Sequence, residues 1–342
     1  MTTASPKSPA RKPAKTATKT AVKATAKSTA KASRQTATAT LPALGFLGLG
    51  VMGKPMAGHL AKAGYALTVF DVDAKATRAL AKALPNTTAA KSPAEVAAAS
   101  DIIITMLPNG EVVQQVLNAP DGLLTRLRPG ALLLDTSSSE PWLTQRSHEQ
   151  LQAAGASLVD APVSGAQWGA EAAELVFMVG GSDADVARVR PLLDCMGRAV
   201  FHLGEVGAGH AMKCLNNMIT AMNLLILSEG LTIGTRHGLD PAAMVDVLNE
   251  STGMSWVSQT HIHQRVLSRK FDDPFKLALM LKDVGIGMEL ARSNEVPAPL
   301  SGAGHQLWRA AALANTPDAS VSELVRWVEK LTGVAIQSRQ QA

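Results

Sequence analysis

The chain has 342 residues, 46% hydrophobic and 18% charged, enough for about two domains with a sizeable buried core. Its formal charge of +5 sits at one end: residues 1–40 hold nine Lys and Arg and no Asp or Glu, leaving 24 basic against 28 acidic side chains elsewhere. This argues against a globally basic nucleic-acid-binding fold; two cysteines without a CxxC pair argue against a disulfide framework or a zinc site, and no apolar run of 18 residues announces a membrane span. Residues 1–40, mostly Lys, Ala, Thr, Ser and Pro, are predicted to be a disordered basic tail. The tail lacks the apolar core of a secretory signal, and its spaced lysines suit weak, sequence-independent contact with phosphates. The cysteine usage fits a reducing, cytoplasmic setting, or the mitochondrial matrix if the tail is a targeting arm.

From Leu41 the pattern changes. Strands are predicted at Ala43–Leu47, Ala66–Asp71, Asp101–Met106, Ala131–Asp135, Ser157–Asp160, Glu174–Val179 and Ala199–Leu203, with helices between most of them, the first over Met52–Ala63. Two helix starts are sharp: Ser92-Pro93-Ala94-Glu95, and Ser182 followed by Asp183 and Asp185. Alternating strands and helices predict an α/β fold on a doubly wound parallel sheet. After Gly209 the strand signal ends. Helices are predicted at His210–His237, Pro241–Asn249, Lys276–Ser293, Leu300–Ala314 and Ser320–Leu331, the last opening with the capping-box spacing Ser320-x-x-Glu323. The expected organisation is therefore a tail (1–40), a sheet domain (41–206) and an all-helical domain (207–335).

Gly48, Gly50 and Gly53 form GxGxxG between the first strand and the first helix, the context that a dinucleotide-binding turn requires. Gly48 permits the turn, Gly50 lets backbone approach a pyrophosphate, and Gly53 lets helix and strand pack closely. Leu49, Val51 and Met52 complete the loop, and the helix N-terminus offers free N–H groups to phosphate. Asp71 ends the second strand, 23 residues after Gly48. A carboxylate there accepts ribose hydroxyls and repels a 2′-phosphate, which favours NAD over NADP.

Lys213 lies where the sheet domain hands over to the helical one, a place where ligands bind. Asn217 shares its helix face four residues on. Desolvation lowers a lysine pKa, so Lys213 is a candidate general acid/base for an alcohol or carbonyl, with Asn217 holding the reacting group or the amine in line. Cys214 is read as a packing residue. The Ser164-Gly165-Ala166 turn offers backbone N–H groups and a hydroxyl to a carboxylate. Trp168, Trp256 and Phe275 are candidate apolar walls, a core or interface role being open for Trp256 and Phe275.

Together, Gly45-Phe46-Leu47-Gly48-Leu49-Gly50 with Met52-Gly53, Met106-Leu107-Pro108, Asp160-Ala161-Pro162-Val163-Ser164-Gly165, the run Gly207–Asn217 and Lys282-Asp283 resemble the β-hydroxyacid dehydrogenase family from about Leu44 to Leu331. The resemblance implies a Rossmann-like domain, a long interdomain helix, and a helical C-terminal domain that builds a homo-oligomer, dimer or tetramer. It implies Lys213 as the catalytic residue with Asn217 assisting, Leu107 and Pro108 beside the nicotinamide, Asn109 less firmly so, and Ser138, Lys282 and Phe275 at the cofactor. It reverses the bland reading of Ser164-Gly165 as a mere turn. The chain departs from the family at Ala166 and Ala173, where glycine is usual, which bears on substrate more than on chemistry. His210 occupies a variable polar position of the motif and is read as a bystander. The implied activity is NAD-dependent oxidation of short β-hydroxy acids of the 3-hydroxyisobutyrate kind, without a metal. Reduction of tartronate semialdehyde or a related aldehyde acid is the alternative. A non-enzymatic scaffold with a nucleic-acid-binding tail is the reading from another class.

Overall fold

The computed structural model describes residues 41–338; the expectations for the basic tail lie outside them. The sheet half runs β1 (Leu44–Leu47), α1 (Gly53–Lys62), β2 (Leu67–Phe70), α2 (Ala74–Ala83), β3 (Thr87–Ala89), α3 (Pro93–Ala99), β4 (Ile102–Thr105), α4 (Gly110–Asn118), β5 (Leu132–Asp135), α5 (Pro141–Ala153) and β6 (Ser157–Asp160). It continues through β7 (Val163–Ser164), α6 (Ala166–Ala172), β8 (Leu175–Gly180), α7 (Asp183–Met196) and β9 (Gly197–Gly204). The strand order β3-β2-β1-β4-β5-β6 is parallel throughout, as helical crossovers require. Beyond β6 the sheet turns antiparallel at β8, which also pairs β7 antiparallel and β9 in parallel. The sheet is thus parallel-dominated and doubly wound. The β3 and β7 strands, too short to leave a periodic signal, were not foreseen.

Strand alternation divides the core. Phe46, Ile102, Ile104, Leu132 and Leu134 face α1 and α7, packing on Met56, Leu60, Val189 and Leu193. Ile103, Leu133 and Leu158 face the other way, onto Val96, Val113, Leu117 and Leu151. Both predicted caps of this half form: Ser92 accepts from Glu95 N at 3.3 Å and Ser182 from Asp185 N at 3.2 Å.

The helical half contains α8 (Ala208–His237), α9 (Pro241–Asn249), a π-helix (Val257–Leu267), α10 (Leu277–Ser293), α11 (Pro299–Leu313) and α12 (Glu323–Thr332), with its own core around Leu224, Leu231, Val284, Trp308 and Leu324. The Ser320 capping box does not form. The helix starts at Glu323, and the Ser320 hydroxyl accepts from Ser322 N instead. Among the described residues α8 is long and apolar enough to cross a membrane, with 44% of that stretch buried inside the protein. It packs along α10, and the approach is close: a Cβ on Gly287 would lie 2.8 Å from Met218 Sδ.

Ala166 and Ala173 bracket α6 in the left-handed region, at φ 53° and 57°. Ala173 is the C-cap of α6, the position where glycine avoids a Cβ clash. Ala173→Gly is therefore expected to stabilise the fold by about 0.5 kcal/mol, the strain relieved exceeding the added freedom of the unfolded chain. Chemical denaturation measures it, and a loss of stability would refute the strain argument.

Candidate active site

The glycine loop follows β1 at the carboxyl edge of the sheet. Gly48 adopts φ 94°, and a Cβ there would meet Met106 O at 2.2 Å. A Cβ on Gly53 would sit 1.9 Å from Gly48 O, so α1 begins pressed onto the loop. Gly50 differs: a Cβ on it would meet no protein atom within 4 Å. It faces a cavity of about 670 Å³. The first turn of α1 has no acidic residue and no side-chain cap, which suits it to an anion. Backbone cradle, open space above Gly50 and helix N-terminus together fit a dinucleotide pyrophosphate.

Asp71 lines the same cavity. Its carboxylate is pinned by two backbone donors, Leu49 N at 2.7 Å and Asp73 N at 2.8 Å. Each oxygen keeps a lone pair for a ribose hydroxyl, and the fixed negative charge opposes a 2′-phosphate. Further along, Leu107, Pro108 and Ser138 form a wall. Leu107 N donates to Ser137 Oγ at 2.9 Å, which ties the loops after β4 and β5 together. Asn109 caps α4, accepting from Val112 N at 2.9 Å.

The far wall comes from the helical half: Phe275, Lys282 and Asp283. Lys282 Nζ donates to Ser138 O at 2.7 Å and stands 3.3 Å from Asp283. Asp283, buried, accepts from Asn217 Nδ2 at 2.6 Å. Lys213 lies one helical turn before Asn217. Its side chain makes no hydrogen bond or ion pair among the described residues. Burial holds its ammonium below the ordinary lysine range; Asp283 opposes that shift and Lys282 adds to it. A lysine in such surroundings gives up its proton more readily than one in water. The neighbouring Cys214 is buried and donates to His210 O at 3.1 Å, and burial beside Asp283 pushes its thiol up to about 12. It is not a thiolate near neutrality.

The cavity gathers Gly48, Gly50, Val51, Met52, Gly53, Asp71, Leu107, Pro108, Ser138, Ala166, Phe275 and Lys282 of the expected site residues. Leu49 is buried beneath it, its N–H turned to Asp71. Ser164, Gly165, Lys213 and Asn217 do not form its walls; Asn217 reaches it through Asp283. Ser164 and Gly165 lead into α6, whose first residues, Ala166 and Gln167, do line it. In the sequence Asp283 stands out only as the second residue of the Lys282-Asp283 pair. The pairing of Lys282 with Asp283 on a helix facing Lys213 was the available signal, but the Asn217 contact spans 66 residues of sequence.

Residues 43–204 match the family model for the NAD binding domain of 6-phosphogluconate dehydrogenase, and residues 207–328 that for the NAD-binding domain of NADP-dependent 3-hydroxyisobutyrate dehydrogenase. The chain is 35% identical over 297 residues to 2-(hydroxymethyl)glutarate dehydrogenase of Eubacterium barkeri, covering 87% of this chain and 98% of that protein. It is 37% identical over 277 residues to the mitochondrial 3-hydroxyisobutyrate dehydrogenase of Mus musculus, covering 79% and 82%. Among solved structures, Mycobacterium tuberculosis 3-hydroxyisobutyrate dehydrogenase with L-serine superposes with a TM-score of 0.78 at 32% identity, covering 84% of this chain and 99% of that one.

Proposed function

Because the chain belongs to the β-hydroxyacid dehydrogenase family, we propose that it oxidises the primary alcohol of short 3-hydroxy acids with NAD, Lys213 serving as general acid/base. The observation that carries this is the seam itself. A lysine with a depressed pKa lies beside Asn217, Asp283 and Lys282, the last two of which line a glycine-built cleft. The relatives' names share a chemical core. 3-Hydroxyisobutyrate, 2-(hydroxymethyl)glutarate and L-serine are each a carboxylate with a CH2OH on the neighbouring carbon, differing in that carbon's third substituent.

Gly48, Leu49, Gly50, Val51, Met52, Gly53 and Asp71 would hold the dinucleotide, with Leu107, Pro108, Ser138, Phe275 and Lys282 at its other end. When bound, it supplies the hydride acceptor for the alcohol carbon. Lys213, as the neutral amine, takes the hydroxyl proton, the alcohol becoming the aldehyde; as the ammonium it returns the proton in reduction. Asn217, oriented by Asp283, holds the oxygen. The turn Ser164-Gly165-Ala166 holds the carboxylate, and Asp71 supports NAD over NADP. A panel of short hydroxy and aldehyde acids assayed with NAD and NADP tests the reading. The expected result is highest kcat/KM for 2-substituted 3-hydroxypropanoates with NAD. Preference for tartronate semialdehyde would instead support the reductase reading, and no turnover on any member would sink both.

We place the domain boundary at 206/207, just before α8; the helical half's buried cluster, distinct from the two on either face of the sheet, supports it. We also infer a homo-oligomer, a dimer or a tetramer, built on α8. Met212, Ile219, Ile226 and Ile233 recur every seven residues and are 37%, 57%, 64% and 71% exposed. Of these, Ile226 also lines an apolar groove of about 810 Å³ beside α9, shared with Leu227, Leu231, Met244 and Val247. A two-fold axis sets such a stripe against its own copy. Ile226→Glu with Ile233→Glu should give monomers by light scattering; a wild-type monomer at micromolar concentration would refute it. Two free cysteines support a reducing, cytoplasmic location; a mature N-terminus near Leu41 in vivo would point to the mitochondrial matrix.

A further inference from the structure

Two carboxylates are buried side by side at the strand ends. Asp135 closes β5, Asp160 closes β6, and the parallel register sets them opposite each other. The His210 ring is fully buried between them, 3.9 Å from Asp135 Oδ2 and 3.6 Å from Asp160 Oδ2. Its Nε2 lies 3.0 Å from Ser137 O, and its Nδ1 lies 2.8 Å from Thr144 Oγ1. A carbonyl oxygen only accepts, so Nε2 carries a proton and donates to Ser137 O. Four polar neighbours from β5, the loop after it, α5 and β6 make this ring more than the bystander expected from sequence.

The surroundings say what the ring joins. Helix α8 has no cap of its own; its Gly207 N-cap is at φ 96°. Asp160 substitutes, accepting from Gly207 N at 2.7 Å and His210 N at 2.8 Å. The start of α8 is thereby fixed to β6. A Cβ on Gly209 would lie 2.3 Å from Met178 O, so the helix also rests directly on the sheet. The ring then ties α8 to the loop after β5. That loop accepts Leu107 N through Ser137 Oγ and Lys282 Nζ through Ser138 O. Those contacts belong to the cofactor wall, and Lys213 lies one turn along α8 from His210.

We propose that His210 is a positioning residue for Lys213: through Ser137 O and Thr144 Oγ1 it sets the seat of α8 against the loop that walls the cofactor cleft. The proposal rests on the reading of Lys213 as the proton-transfer group. It asks nothing of His210 as an acid or base. Sub-ångström errors in seating matter because misplacing a reacting group by about 1 Å costs on the order of 10²-fold in rate.

The test compares His210→Ala, His210→Gln, Thr144→Val, Lys213→Ala and the double variant His210→Ala/Lys213→Ala in the full chain. Each is measured for kcat, KM, NADH affinity by fluorescence titration, and Tm. His210→Ala is expected to lower kcat by roughly 10- to 100-fold, with KM and NADH affinity within about threefold. His210→Gln, whose amide can donate to Ser137 O, should recover most of the loss. The double variant should be no slower than Lys213→Ala alone, because a group acting through Lys213 has nothing left to position. A fall in Tm with kcat unchanged, no rescue by glutamine, or additive losses in the double variant would each overturn the proposal. If His210→Ala does not fold, Thr144→Val, which keeps the shape and removes the hydroxyl, decides by the same kcat and KM criterion. If Lys213→Ala itself retains activity, the acid/base assignment fails rather than the seating argument.

Discussion

Replacing Lys213 with alanine is expected to lower kcat for alcohol oxidation by roughly 10²- to 10⁴-fold, the range that a positioned acid/base contributes. NADH affinity and Tm should stay close to wild type. The side chain makes no hydrogen bond among the described residues, and burying an ammonium without an ion pair costs stability rather than adding it. Lys213→Met, which keeps the stem and removes the charge, should melt no lower than wild type. The pH dependence follows from the direction of the shift. Burial favours the neutral amine, so the Lys213 pKa lies below the ordinary 10.5. Oxidation needs that neutral amine, and its rate should climb with pH up to the lysine pKa and then level. Reduction needs the ammonium and should decline over the same window. Lys282→Gln removes a neighbouring positive charge that lowers the pKa, so the oxidation limb should move to higher pH. Stopped-flow rates across pH check both signs. Activity of Lys213→Ala within tenfold of wild type, or a limb that survives in it, would remove the assignment.

The reason Lys213 could be singled out at all is local. Its motif is contiguous, and it sits at the change from alternating strand and helix signals to helix alone. The glycine loop was legible for the same reason: Gly48, Gly50 and Gly53 act within one turn, and Asp71 belongs to the adjacent strand. What sequence did not yield depends on distant pairings. Nothing along the chain states that Asn217 is held by Asp283, or that Asp160 caps a helix 47 residues away. Those partners are fixed by the docking of α10 on α8 and by the register of β5 with β6. His210 shows the cost of reading position by position. Three residues before Lys213, it looks incidental until the fold closes two carboxylates and a backbone carbonyl around it. The π-helix over Val257–Leu267 and the failed Ser320 cap are of the same kind. There, tertiary packing chose among local conformations of similar energy.

Gly50→Ala and Gly53→Ala, three positions apart in one motif, are expected to fail in different ways. At Gly50 a methyl group would touch no protein atom within 4 Å. The variant should fold with an unchanged or slightly raised Tm, since alanine reduces the freedom of the unfolded chain. Yet the methyl would project into the space reserved for pyrophosphate. NADH affinity should fall at least about tenfold, equivalent to roughly 1.4 kcal/mol. At Gly53 the added carbon would lie 1.9 Å from Gly48 O, a backbone atom that cannot rotate away. Relieving that overlap means lifting α1 off β1, and the expected cost is about 1–3 kcal/mol or more of stability. Calorimetry with and without NADH separates the two. Wild-type affinity in Gly50→Ala would mean that the loop does not cradle a phosphate, and the dinucleotide reading of the cleft would lose its structural basis. An undiminished Tm in Gly53→Ala would mean that α1 is free to shift, so the tight helix–strand contact could not be what aims the helix N-terminus at the ligand.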